Sequence, residues 1–220
     1  MKIVFVHNVY NRPKTLLETI QKEIKHFPES EFVIAYNNDI NIDTFKQQTF
    51  GSRVHPIYFT QRPHKIGCVN GFALGVKKAL SLHPDVIIFS HDDVSISEDY
   101  IDVYKHNISL VGDGCYDIVC RSPKFNYGTN YFMMEGIFMN GSFIKVIETV
   151  LNPIKEESQI PKDIRNSYSP EVFLFNCFNN KTTKILNHQY DNSSDTFYNK
   201  QLGEKMGMYH KNIGIRGWNE

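Results

Sequence analysis

The chain carries no surplus of charge. Lys and Arg number 24 and Asp and Glu number 24 among its 220 residues, a formal charge of zero. A general nucleic-acid or anionic-membrane binder needs a basic excess, so neither is expected, although a small anion held at one site stays open. Cysteine is scarce. Cys68, Cys115, Cys120 and Cys177 contain no Cys-x-x-Cys pair, which argues against a zinc site or a small disulfide framework. Reduced thiols in a cytoplasmic protein are expected. No stretch approaches the ~20 apolar residues of a membrane span, and the apolar run at 3–6 is too short for a signal-peptide core. There is no repeat and no low-complexity tract. Glycine-rich phosphate loops are missing too, both the Gly-x-Gly-x-x-Gly turn and the Gly-x-x-x-x-Gly-Lys-Ser/Thr loop, which weakens dinucleotide-dehydrogenase and P-loop readings.

What is present is alternation. Short apolar runs at 3–6, 31–36, 54–59 and 86–89 alternate with helical spacing at 13–27 and 67–80. That order predicts β/α units around a largely parallel sheet. Further on, a helix is expected at 97–107, strands at 118–120 and 130–139, and a helix capped by Ser142. A polar loop is expected at 152–168. Ser169-Pro170-Glu171 reads as a helix start, with Ser as cap, Pro first inside and an acid in the first turn. A last strand is expected at 183–187, and the tail from Asp191 shows little periodicity.

In open α/β sheets ligands sit beyond the carboxyl ends of the strands. Three polar clusters fall there: His7-Asn8, Asn37-Asn38-Asp39, and His91-Asp92-Asp93. Two acids on a rigid strand end suit a hard cation such as Mg²⁺ or Mn²⁺, which takes one or two carboxylates plus phosphate oxygens. They serve equally as caps or solvated groups.

The motifs together resemble family-two-like glycosyltransferases of the GT-A fold. Val9-Tyr10-Asn11-Arg12-Pro13-Lys14-Thr15-Leu16-Leu17 resembles the family's opening. Lys65-Ile66-Gly67-Cys68-Val69-Asn70-Gly71 resembles its Gly-x-x-x-Asn-Gly helix. Ile88-Phe89-Ser90-His91-Asp92-Asp93 takes the place of its Asp-x-Asp motif, with His91 where the first Asp would stand. The resemblance implies a three-layer α/β/α sandwich with a mostly parallel central sheet and a Rossmann-like nucleotide-binding half. It implies a donor-binding half at 1–95, and an acceptor-side half with the tail at 96–220.

By this resemblance, Tyr10, Arg12, Asn38 and Asp39 lie near base and ribose, with Lys65 and Asn70 alongside. His7 and Asn8 line the same strand end, and Asp92 faces ribose or sugar. Asp93 binds the metal, with His91 a secondary candidate. A C-terminal histidine completes the metal site, His188 ahead of His210. Gly136 would let the donor sugar approach closely. Glu171 is the expected general base, with Asp163 and Glu135 as competitors.

The expected activity is Mn²⁺- or Mg²⁺-dependent transfer of a hexose or deoxyhexose from a nucleotide sugar, UDP-sugar first, to a glycan acceptor, with inversion. Two alternatives stand beside it, a sugar nucleotidyltransferase and a degenerate module that binds nucleotide or glycan without turnover. The sequence fixes no oligomeric state.

Overall fold

A computed structural model describes residues 1–9, 12–36, 51–59, 64–123, 136–147, 151–162, 168–179, 184–190 and 195–211. One seven-stranded sheet dominates, in the order β3-β2-β1-β4-β7-β6-β8. Its strands are β1 (Ile3–Val9), β2 (Glu31–Tyr36), β3 (Val54–Tyr58), β4 (Val86–His91), β6 (Ile118–Pro123), β7 (Ile137–Asn140) and β8 (Ile185–Tyr190). β3, β2, β1 and β4 are mutually parallel, as are β6 and β8. β7 runs antiparallel between β4 and β6. β5 (Val94–Ile96) and β9 (Met208–His210) pair separately.

The described helices are α1 (Pro13–His26), α2 (His64–Leu80), α3 (Ile101–Gly112), α4 (Gly141–Ile147), α5 (Pro170–Asn179) and α6 (Asp195–Met206). They cover the sheet on both faces. Phe5, Ile88, Val119 and Phe138 meet α1, α3 and α6 through Leu16, Ile20, Tyr104, Ile108, Leu202 and Met206. Val6, Ile87, Phe89 and Ile118 meet α2, α4 and α5 through Phe72, Val76, Ile144, Leu174 and Phe178. Strands buried on both faces read as continuous apolar runs, which is why β1, β2 and β4 are plain in the sequence, while β3 at the sheet edge is only partly buried. The architecture is therefore the expected three-layer α/β/α sandwich. Among the described residues no helix is long and apolar enough to cross a membrane.

Several expectations need correcting. The helix after β7 is capped by Asn140, whose Oδ1 accepts the Phe143 N–H at 3.1 Å, and not by Ser142. The last sheet strand starts at Ile185, so His188 lies inside it. The tail holds α6 and β9, joined by Gly207 at φ 69°. A Cβ there would meet the Tyr104 backbone N at 2.5 Å and the Tyr100 carbonyl at 2.8 Å, so the turn needs glycine. The 152–168 stretch is not simply a loop: Ile154 and Ile160 pack on Ile66 and Val69 of α2. The chain leaves β1 outward to β2 and β3, then crosses back to β4. In open α/β sheets the ligand crevice falls where the strand order reverses, which in this order is the carboxyl ends of β1 and β4.

Candidate active site

β4 ends at His91 and delivers Asp92 and Asp93 into that crevice. From the β1 side comes Arg12, just before Pro13 opens α1. The Arg12 backbone N–H donates to Asp92 Oδ2 at 3.1 Å, and its guanidinium pairs with Asp93 Oδ2. From the tail comes His210, with Nε2 3.3 Å from the same Asp93 oxygen. β9 brings it there: His210 lies opposite Val94 on β5, and the Lys211 N–H donates to the Asp93 carbonyl at 2.8 Å.

Burial alone would raise the Asp93 pKa. The His210 hydrogen bond and the charges of His210, His91 and Arg12 outweigh burial and hold the carboxyl well below its ordinary value. Asp93 is thus a carboxylate at neutral pH. His91 stands edge-on to Phe89, with ring centroids 5.8 Å apart.

Glu171 occupies the first turn of α5, after Pro170. Its Oε2 accepts the Ser169 hydroxyl at 3.0 Å, and Ser169 Oγ caps the helix by accepting the Val172 N–H at 3.4 Å. The Cys68 thiol on α2 is pushed up to about 12, first by burial and then by the charges of Glu171 and Asp92. Both carboxylates therefore stand close enough to Cys68 to press on it. Asp92 and Glu171, 79 residues apart in the chain, both act on this one thiol.

Other candidates take different places. His7 is fully buried on the α1 face of the sheet. Its Nε2 meets Glu23 Oε2 at 2.8 Å and its Nδ1 meets Ser90 Oγ at 3.1 Å. Asn8 is buried against Gly71, where a Cβ would collide with the Asn8 amide. Asn70 spends both amide atoms on the backbone of one residue. Its Nδ2 donates to the Ile154 carbonyl at 2.9 Å and its Oδ1 accepts the Ile154 N–H at 2.8 Å, so it clamps the 151–160 segment rather than a ligand. Lys65 is half-buried in the first turn of α2. At Gly136 the space of a Cβ is filled by Met208 Sδ, so that glycine admits a methionine where a sugar was expected.

His188 pairs with Arg121 on the outer strand β8, three strand spacings or about 14 Å from β4. It lines an open groove of about 460 Å³ with His106, Leu186 and Lys205. Burial first, then Lys205, lowers its pKa. The histidine beside Asp93 is His210, not His188. Tyr10, Asn38, Asp39, Glu135 and Asp163 lie outside the described residues.

The buried pair beneath the site has a measurable consequence. Burial raises the Glu23 pKa, against the opposing pull of His7. A carboxyl whose folded pKa is raised contributes stability below its unfolded value, about 4.5, and loses it as pH climbs through the folded value. Glu23→Gln lacks that titration. The unchanged protein should therefore lose stability relative to Glu23→Gln as pH rises from 4.5 to 8, read by urea unfolding of both. A gap that stays flat across this range would show Glu23 charged throughout.

Among solved structures, the chain is similar to a glycosyltransferase involved in the glycosylation of the major capsid of PBCV-1. The TM-score is 0.55 at 9% identity, over 98% of this chain and 96% of that one. It is similar to GlyE of Streptococcus pneumoniae TIGR4, with TM-score 0.52 at 15% identity over 94% of this chain and 48% of that one. It is also similar to S. aureus TarS in complex with UDP, with TM-score 0.51 at 12% identity over 93% of this chain and 65% of that one. The chain thus spans nearly all of the first neighbour and less than two thirds of the other two. No family model and no curated protein matches the sequence. The molecule has the GT-A fold of glycosyltransferases, which is the fold its motifs resemble.

Proposed function

We propose that the chain is a metal-dependent glycosyltransferase, moving a hexose or deoxyhexose from a nucleotide sugar to a glycan acceptor with inversion. UDP-sugar is the first donor to test. The observation that carries this reading is the meeting of Asp92, Asp93, Arg12 and His210 where the strand order reverses. The fold supports it, and one of the neighbours, TarS, was solved with UDP and with UDP-GlcNAc.

The residues fit a divalent cation. With Nε2 deprotonated, so that its hydrogen bond to Asp93 gives way to a lone pair, His210 would offer an imidazole donor 3.3 Å from the Asp93 Oδ2 carboxylate donor, a span one ion bridges. Among the described residues no cluster of three or more His, Cys, Asp or Glu surrounds such an ion. Phosphate oxygens would complete its shell, the usual arrangement for Mg²⁺. Bound there, Mn²⁺ or Mg²⁺ would supply positive charge against the leaving diphosphate.

The chain's own residues do the rest. Arg12 adds fixed positive charge beside Asp93, and Lys65, by the family resemblance, lies alongside the nucleotide. Asp92 holds ribose or sugar, while Tyr10, Asn38 and Asp39 take base and ribose. Glu171, oriented by the Ser169 hydroxyl, takes the proton from the acceptor hydroxyl. Residues 1–95 thus form the donor side and 96–220 the acceptor side.

A thermal-shift panel of nucleoside diphosphates, each with and without Mn²⁺, tests the reading. UDP with Mn²⁺ should stabilise the fold by about 2.7 kcal/mol at a hundredfold excess over Kd. Sugar transfer from the matching donor should follow. Absence of any nucleotide shift overturns the reading. Pyrophosphate release from a nucleoside triphosphate and a sugar phosphate would replace it with nucleotidyl transfer. Metal-dependent UDP binding with neither transfer nor donor hydrolysis would leave a binding module.

A further inference from the structure

His210 sits at the outermost position of a very short strand. β9 has three residues and pairs only with the three residues of β5. A two-stranded pair of that length is marginal on its own. The His210 backbone is nevertheless held firmly from the neighbouring helix. On α6, Asn199 Oδ1 accepts the His210 N–H at 2.8 Å, and Asn199 Nδ2 donates to the His210 carbonyl at 3.1 Å. The side-chain amide thus engages the backbone on both sides of the His210 Cα, and two bonds fix both position and tilt. The next residue is fixed in turn, with the Lys211 N–H on the Asp93 carbonyl at 2.8 Å.

Side chains add further ties: Lys22 Nζ donates to the Tyr209 hydroxyl at 2.8 Å, and just past β9 Lys211 Nζ donates to the Thr15 carbonyl at 3.1 Å and meets Glu18 at 2.9 Å.

We infer that Asn199 is a positioning residue for metal binding: by clamping the His210 peptide it sets the imidazole at Asp93. The inference rests on the reading of Asp93 and His210 as the ion's ligands. Residues that orient a ligand, rather than bind the ion, commonly control affinity by 10- to 100-fold.

The test is a Mn²⁺ titration of the full chain with UDP present, followed by loss of the free-ion EPR signal. Asn199→Ala should raise the Mn²⁺ Kd by about tenfold. Its kcat should return close to the unchanged value once Mn²⁺ is saturating, so the metal requirement moves and the maximal rate does not. Asn199→Asp keeps the acceptor for the His210 N–H and loses the donor to the carbonyl. It should weaken Mn²⁺ by a smaller factor, and it carries the test if the alanine variant fails to fold. Asn107 is the control: its Nδ2 donates to the Lys205 carbonyl at 3.0 Å and ties α3 to α6 away from Asp93. Asn107→Ala should lower the thermal midpoint and leave the Mn²⁺ Kd alone.

Asp93→Asn separates the two levels of the argument. If it removes Mn²⁺ binding while both Asn199 variants bind as the unchanged protein does, the clamp is wrong and the metal reading stands. If Asp93→Asn also binds Mn²⁺ normally, the metal reading falls and takes the clamp with it. A loss of Mn²⁺ affinity in Asn107→Ala equal to that in Asn199→Ala would also overturn the clamp, because general loosening of α6 would then explain both.

Discussion

Asp93→Asn is expected to lower sugar transfer by about a thousandfold, equivalent to the ~4 kcal/mol of charge stabilisation that a bound divalent ion supplies to a leaving diphosphate. The substitution keeps the shape and can still accept from Arg12. It removes the negative charge on which His210 and Arg12 converge. That charge is secure in the unchanged protein, since His210, His91 and Arg12 hold the carboxyl well below its ordinary value against the effect of burial. The loss should therefore appear at neutral pH and should not be recovered by raising pH. Stability should fall as well, because Arg12 and His210 keep only 14% of their side-chain surface in solvent and lose the carboxylate that balances them. The measurement is initial transfer rate against Mn²⁺ concentration for both proteins, with thermal midpoints alongside. Full activity with an unchanged metal requirement would remove Asp93 from the mechanism.

The acids were legible because a rigid apolar strand ran straight into them. Val86 to Phe89 are apolar and buried, and the apolar run stops at Ser90-His91-Asp92-Asp93. The same continuity hid His7. All seven residues of β1 are buried, so no alternation tells which face a polar residue takes. His7 looked like a strand-end ligand, yet it is satisfied by Glu23, sixteen residues away on α1, and by Ser90. Asn70 misled for a related reason: its partner, Ile154, is 84 residues distant. A motif shows which residue types are present, and only the fold shows what has already used their hydrogen bonds.

The tail was the least legible part. α6 buries Leu202 and Met206 among mostly polar residues, and Gly203 lies against the Tyr100 ring. Two apolar anchors on one helix make a faint periodicity. β5 and β9 are three residues each, below the length at which a strand pattern can be recognised. Placing the last sheet strand two residues early put His188 beyond its end. Inside β8 the same residue faces the groove with His106 and Lys205. The histidine beside Asp93 came instead from a strand with no sequence signal, and Asn199, which fixes it, had none either.

Glu171→Gln is expected to cost 10²- to 10⁴-fold in kcat, the range for losing a positioned general base, while UDP affinity in Mn²⁺ stays as it was. Two roles compete for this residue. An acid in the first turn of a helix is favourable through the helix dipole alone, by a few tenths to about 1 kcal/mol. That role is already shared, because Ser169 caps the helix and Pro170 opens it. Glutamine keeps an acceptor for the Ser169 hydroxyl and removes the ability to hold a proton. A purely structural Glu171 therefore predicts a slightly lower thermal midpoint and a near-normal rate. A base predicts a near-normal midpoint and a collapsed rate, with donor hydrolysis and donor affinity separating loss of chemistry from loss of binding. Transfer within about tenfold of the unchanged protein would exclude the base. The search would then pass to Glu135 and Asp163, whose single substitutions in the same assay decide between them.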